Sequence, residues 1–420
     1  VIIFKLLEKR SIYIFISLAY KFLLDIAYIN FVSPLYKYTG FHKNLDISQY
    51  LIGWILFFLL LYLSPHNIKK TSDYFISQAI FSLLTPLIVL YGMDFNLTIE
   101  PIFYSILSIL FIKSLICLPI KPPKIPIIKN GEYIFYITSF FMVLYLVFWY
   151  VLSGAVKNIN FDPRKVYDFR EINSNLTDIS ILAYINEWVY NVFSLSLLGY
   201  ALWKKKYILF TFVFICQIFF YSISAHKSVL FTPLFVIGIY CYFRHTRALS
   251  TIPLFFSSTI IIGLILYNTI GEITFPSMFI RRVFFVPAQL TYIYFDFFNQ
   301  NDYEMWGNSI LKSIRPSIYA EGVPKAIGVY IGNDIYANNG YISSGFAQAG
   351  AVGILLYSLI LGIYLKWLDI WSNKVPELWL SIILVITPLR SLLISSDLFT
   401  VMLTHGLIVA TFMLILLRKK

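Results

Sequence analysis

Twelve apolar stretches, most of them close to the length that crosses a bilayer, recur along this 420-residue chain. They fall near residues 11–35, 50–64, 73–92, 101–119, 132–152, 179–200, 207–224, 228–243, 251–270, 341–365, 376–395 and 398–417. A spanning helix takes about 20 apolar residues, so twelve spans use roughly 240 positions and leave about 180 for loops. Composition agrees: 59% of the residues are hydrophobic and 13% charged, against about 45–50% and about 25% in soluble domains. So little polar surface excludes an ordinary water-soluble domain. The expected fold is all-α, one polytopic membrane domain over 1–420 with about twelve transmembrane helices, ten being the other count. The first stretch is long and followed by many others, so it is expected to be a span and not a cleavable signal.

Thirty-three Lys and Arg against 21 Asp and Glu give a net charge of +12. In a soluble protein that balance would direct attention to nucleic acid. Here the basic residues lie in short loops between apolar runs, and no nucleic-acid partner is expected. One alternate set of loops holds Lys5, Lys9 and Arg10; Lys69 and Lys70; Lys121, Lys124 and Lys129; Lys204, Lys205 and Lys206; Arg244 and Arg247; Lys366 and Lys374; and Arg418, Lys419 and Lys420. The intervening short loops hold only Lys37, Lys43 and Lys227. The positive-inside rule then places both termini in the cytoplasm. Two outward loops are long, about 153–178 and 271–340, and long loops are exempt from that rule. The second clusters Phe284, Phe285, Phe295, Phe297 and Phe298, which suggests short helices lying on the membrane surface or over a cavity. Cys117, Cys216 and Cys241 all sit in apolar runs without metal-ligand spacing, so neither disulfides nor a cysteine metal site is expected.

Several residues are candidates for chemistry. Arg281 and Arg282, with Arg315 further on, are cations among aromatics on the outward side, suited to a phosphate or pyrophosphate; equally, they suit an interfacial helix anchored to anionic lipid. Ser224-Ala225-His226-Lys227-Ser228 forms a polar outward turn. A His beside a Lys is disfavoured as a cation, which makes His226 a candidate proton acceptor; the alternative is a merely solvated hairpin. Arg390 and His405 flank the turn Ser395-Ser396-Asp397, about 8 and 12 Å below it. Either they face one cavity, intramembrane Arg being a functional candidate by default, or Asp397 neutralises Arg390 along its own helix. Glu187 lies mid-span beside Asn186 and Asn191, Asp178 stands where it would cap that helix, and Lys21 and Asp25 are spaced to pair at i, i+4. Tyr336, Asn338 and Asn339 sit in a polar run that either binds a sugar or simply enters a helix. Gly345, Ala349 and Gly353 repeat every four residues, which predicts one closely packed helix face. The outward loops carry no paired carboxylates that demand a divalent ion.

Together, the twelve-span layout with enlarged loops at 153–178 and 271–340 resembles the O-antigen polymerases, the repeat-unit polymerases called Wzy. So do Ala225-His226-Lys227-Ser228-Val229-Leu230-Phe231, Arg281-Arg282-Val283-Phe284-Phe285-Val286-Pro287, and the run from Asn338-Asn339-Gly340 through Gly345-Phe346 to Gly350 and Gly353. The resemblance implies a GT-C-like glycosyltransferase of the bacterial inner membrane. Its substrates would be undecaprenyl-pyrophosphate-linked oligosaccharides met among membrane lipids at the periplasmic face, with no metal or other cofactor and with a chain-length regulator as partner. By that resemblance Arg281, Arg282 and Arg315 would hold the leaving pyrophosphate, with His226 and Lys227 assisting; taken with the residue readings above, the expected catalytic residues are Arg281, Arg282, His226 and Glu187, and the expected substrate-binding residues Lys227, Arg315, Arg390, His405, Tyr336, Asn338 and Asn339. Some members carry an Arg followed by Gly eleven positions on in both loops; here Arg164 and Arg170 have no such Gly, and Arg315 reaches Gly322 or Gly328 at other spacings. A base for the acceptor hydroxyl is needed, and Glu187, Glu272, Asp296, Glu304 and Glu321 all qualify by type. The rival functions are a lipid-linked oligosaccharide flippase, an O-antigen ligase, and an ion-coupled transporter with Glu187 as its mid-span charge.

Overall fold

The computed structural model describes the backbone of residues 2–161, 166–309 and 311–419, and the side chains of these except 2–3 and 166–171. Arg164, Lys420 and the side chain of Arg170 lie outside the described residues. Among the described residues the protein is all-helical, apart from isolated bridges pairing Asn44 with Asp94 and Asn67 with Ala248. Nine of the described helices are long and apolar enough to cross a membrane. Three more apolar helices, Ile47–Leu63, Lys227–Phe243 and Leu378–Ile394, have 17 residues each, about 26 Å at 1.5 Å per residue. Every apolar window of the sequence holds one of these helices, and the architecture is that of a multi-pass membrane protein.

Packing divides the chain into two compact units. One comprises Val1–Ile120, Thr246–Lys366 and Arg390–Leu398; the other comprises Lys121–His245, Trp367–Leu389 and Phe399–Lys420. In the first unit, helix Thr71–Met93 is buried along its whole length. The 271–340 segment contributes a helical run over 274–298 and a shorter helix, Val323–Tyr330. Tyr292 on that run donates its hydroxyl to the Leu87 carbonyl at 3.0 Å.

Four described helices widen into π-helical turns: Tyr28–Val32, Ala79–Leu84, Val189–Phe193 and Ser277–Phe285. Three of them end two residues before a proline, at Pro34, Pro86 and Pro287. Proline has no N–H and its ring presses on the preceding turn, so the turn widens, and the freed carbonyls need other donors in a setting without water. Around Pro86, Tyr20 Oη donates to the Phe81 carbonyl at 2.6 Å and Thr85 Oγ1 to that of Ile80 at 2.7 Å. The fourth turn, 189–193, precedes no proline.

The repeat at Gly345, Ala349 and Gly353 does not line one straight helix face. Tyr341–Ser372 is broken at Ala349 (φ −158°, ψ 36°) and Gly350 (φ 58°, ψ −138°). The break folds the chain until a Cβ on Gly353 would meet the Gly345 carbonyl oxygen at 1.9 Å. Only glycine reaches the Gly350 conformation without strain.

Lys21 and Asp25 pair as their spacing predicts, Nζ to Oδ2 at 2.8 Å, and both are buried. Tyr50 Oη donates to the same carboxylate oxygen at 2.9 Å, and the Lys21 ammonium lies 4.0 Å from the Trp54 ring centre. Removing one member strands the other charge in an apolar surround, which costs about 3–5 kcal/mol. Asp25→Ala is therefore expected to lower the unfolding free energy by about that much, whereas Lys21→Met with Asp25→Leu recovers most of it. Denaturant unfolding of the detergent-solubilised protein, followed by tryptophan fluorescence, measures both.

Candidate functional site

Three side chains far apart in sequence meet in the second unit. Glu187 lies on the helical run Ile181–Trp203, two residues before the turn at 189–193. His226 is the residue before helix Lys227–Phe243, and Ala225 (φ 56°) turns the chain sharply between it and helix Tyr207–Ser224. His405 sits where the last apolar helix is interrupted, between Leu398–Leu403 and Leu407–Leu416. Glu187 Oε1 lies 3.6 Å from His226 Nδ1, and Oε2 lies 3.9 Å from His405 Nδ1. Asn191, one turn on, donates Nδ2 to Oε2 at 2.8 Å. The Tyr190 ring centre is 6.2 Å from that of His226.

The local backbone sets this geometry. The widened turn at 189–193 has no proline to cause it, and such turns recur at functional positions in helices. The break at His405 rests on Gly406 (φ 76°), where a Cβ would meet Trp188 Cδ1 at 2.9 Å. The Trp188 indole N–H also donates to the Leu403 carbonyl at 2.7 Å, which takes the Gly406 N–H at 3.1 Å as well. Thus Trp188 anchors the interrupted helix next to the residue that meets His405.

The three side chains are 21%, 25% and 23% exposed for Glu187, His226 and His405. A carboxylate between two imidazoles, open to a ligand, can accept a proton and hand it on; ionisable groups inside spans mark such pathways. Asp178 does not cap this helix, which begins at Ile181; its Oδ1 instead accepts from Asn186 Nδ2 at 3.0 Å.

The other candidate carboxylates belong to the first unit. Glu272 Oε1 accepts from the backbone N–H groups of Thr274 at 2.6 Å and Phe275 at 3.1 Å. The Phe275 bond foremost, with those from Thr274, holds its carboxyl below the ordinary value, which weakens it as a base. Asp296 accepts from Tyr330 Oη at 2.7 Å and Gln300 Nε2 at 3.2 Å. Glu304 is buried, with Oε2 taking the Ile318 N–H at 3.2 Å, and Glu321 is 4.0 Å from Lys325.

The remaining sequence candidates divide between the two units. Arg281 lies with its guanidinium 4.2 Å from the Tyr36 ring centre and Nε 3.5 Å from Ser277 Oγ, and Arg282 is exposed. Arg315, Tyr336 and Asn338 are exposed. Asn339 is buried, and its Nδ2 donates to Pro287 O, Thr291 Oγ1 and Ser343 Oγ at 2.9–3.1 Å, so binding a sugar would break an internal clamp. Arg390 is exposed and belongs to the first unit, His405 to the second. Asp397 accepts from Tyr357 Oη at 2.7 Å. Lys227 follows His226 directly and is half-buried.

Met305 (φ 52°) and Trp306 (φ 59°) adopt left-handed backbone in succession. The strain is compensated at the broken helix: Glu304 N and Met305 N donate to Ala347 O and Gln348 O at 3.0 and 2.9 Å. No glycine marks those two positions, so the sequence carries no signal for them.

Gly406→Ala is expected to cost about 1–2 kcal/mol, the penalty of a left-handed non-glycine residue, and to push against Trp188. A melting-temperature drop of several degrees in detergent, with no loss of helical circular dichroism at 4 °C, is the anticipated result. Compared with protein families, with curated proteins and with solved structures, the chain has no match.

Proposed function

We propose that this chain is a glycosyltransferase of the O-antigen polymerase type, with about twelve spans in a GT-C-like arrangement in the bacterial inner membrane and both termini cytoplasmic. It moves a growing saccharide from undecaprenyl pyrophosphate to a hydroxyl of a new lipid-linked unit at the periplasmic face, and works with a chain-length regulator. The observation that carries the reading is the accessible carboxylate of Glu187 set between His226 and His405. Glu187 takes the proton of the acceptor hydroxyl as its oxygen attacks the anomeric carbon. The bond from that carbon to the pyrophosphate oxygen breaks, and its electron pair leaves with the pyrophosphate. An imidazole then receives the proton from Glu187 and releases it to water. Lys227, next to His226, supplies a cation for developing negative charge.

One observation favours a second reading, proton-coupled movement of a lipid-linked saccharide. The span Leu398–Leu416 is interrupted beside an ionisable residue, His405, as in transporters whose discontinuous helices hold coupling ions. A detergent micelle has no two sides, so only an enzyme works in it. Purified protein in detergent, given lipid-linked repeat units, is expected to lengthen them; Glu187→Gln slows this about 10²- to 10⁴-fold, the usual worth of a general base, without lowering the melting temperature. No lengthening by the wild type, together with Glu187-dependent movement in vesicles driven by a pH gradient, would overturn the enzyme in favour of the transporter.

A further inference from the structure

The basic residues of the 204–206 and 418–420 segments have so far served only to orient the chain, yet in the second unit three of them gather on a common aromatic platform. Lys204 Nζ lies 3.9 Å and Lys419 Nζ 4.8 Å from the Trp203 ring centre. Lys206 Nζ is 5.6 Å from the Tyr200 ring centre and 5.2 Å from that of Tyr136, and Lys204 also approaches Tyr200, at 5.9 Å. A single carboxylate offsets them: Glu132 Oε1 is 2.5 Å from Lys204 Nζ and accepts from Tyr200 Oη at 3.4 Å. Lys206 and Lys419 make no ion pair or side-chain hydrogen bond among the described residues. Next to Lys419, Arg418 is 7% exposed; its Nη2 donates to the Ile125 carbonyl at 2.7 Å, while its buried Nε has no partner among the described residues.

Ammonium groups on aromatic faces gain from each ring but repel one another, and one carboxylate leaves the set strongly positive. An anion with several oxygens completes it. Apolar side chains beside the platform stay open, Ile208 at 89% and Tyr133 at 65% exposure, which suits acyl chains below a headgroup. We infer that Lys204, Lys206 and Lys419, on the Trp203–Tyr200–Tyr136 platform, bind the phosphate of an anionic phospholipid at the membrane face that the charge pattern assigns to the cytoplasm. The inference is independent of the transferase reading, because it uses none of that site's residues.

The test places the full chain in phosphatidylcholine nanodiscs, titrates in dioleoylphosphatidylglycerol, and counts bound lipid by native mass spectrometry. A juxtamembrane lysine contributes roughly a fivefold change in affinity for anionic lipid. Lys206→Gln with Lys419→Gln is therefore expected to weaken phosphatidylglycerol retention by at least about tenfold. Lys69→Gln with Lys70→Gln, in the other unit, is expected to leave it unchanged, and 10 mM inorganic phosphate is expected not to displace the lipid. Equal retention by wild type and the 206/419 variant overturns the site. So does an equal loss in the 69/70 variant, which would mean unselective attraction, and so does full displacement by phosphate, which would mean a site for a soluble anion. All four substitutions are at exposed positions, so the fold is not at risk in the comparison.

Discussion

Every carbonyl inside an apolar helix needs a donor, because no water reaches it, and each proline in these helices removes one. Ahead of Pro34, Pro86 and Pro287 the turn widens, and at Pro86 the Tyr20 hydroxyl reaches the Phe81 carbonyl while the Thr85 hydroxyl adds a second donor to that of Ile80. Helix Arg10–Thr39 is thereby tied to Thr71–Met93 through a hydrogen bond that exists only because the second helix is irregular. The same accounting explains the loop at 304–305, whose N–H groups occupy carbonyls freed at the Ala349–Gly350 break. It explains Trp188 too, whose indole takes the Leu403 carbonyl beside the break at Gly406.

Against that background, two clusters of charge stand in contrast. Lys21, Asp25 and Tyr50 close on one another, and the ion pair is shut away from solvent. Such a group fixes two helices and offers nothing to a ligand. Glu187 is held by Asn191 on one side and faces imidazoles at 3.6 and 3.9 Å, longer than a direct charge-assisted bond. Its turn is also the one widened without a proline, so its irregularity has no cause in backbone chemistry alone. A partly exposed carboxylate set between two imidazoles beside an unforced distortion has the features of a working group.

Much of the helical layout is legible from hydropathy, since each apolar window is long, continuous and bounded by turn residues such as Ser64-Pro65 or Pro119-Ile120-Lys121-Pro122. The pairing of Lys21 with Asp25 is legible for the same reason: both partners lie on one helix, four residues apart. The site is legible only as separate members. Glu187 and His405 can be picked out as polar groups in apolar runs and His226 as part of a polar turn, but nothing local says that residues separated by 39 and 179 positions meet. Likewise Asn339 reads as a free amide until its three acceptors come together from 287, 291 and 343. The spacing of Gly345, Ala349 and Gly353 misleads because helical periodicity presumes a continuous helix, and Gly350 ends it.

Helix Thr71–Met93 has no side facing lipid, and that fixes an order of assembly. Part of its cover is Tyr292, bound to the Leu87 carbonyl 205 residues earlier in the chain. At ribosomal speeds of about 5–20 residues per second, that partner is made roughly 10–40 s after the helix itself. During the interval a helix destined for the interior must wait in lipid or against a temporary neighbour, with the carbonyls around Pro86 sheltered by Tyr20, which is synthesised before them. Of these two partners, Tyr20 is thus the one already present when Thr71–Met93 is made, and Tyr292 the one that arrives last.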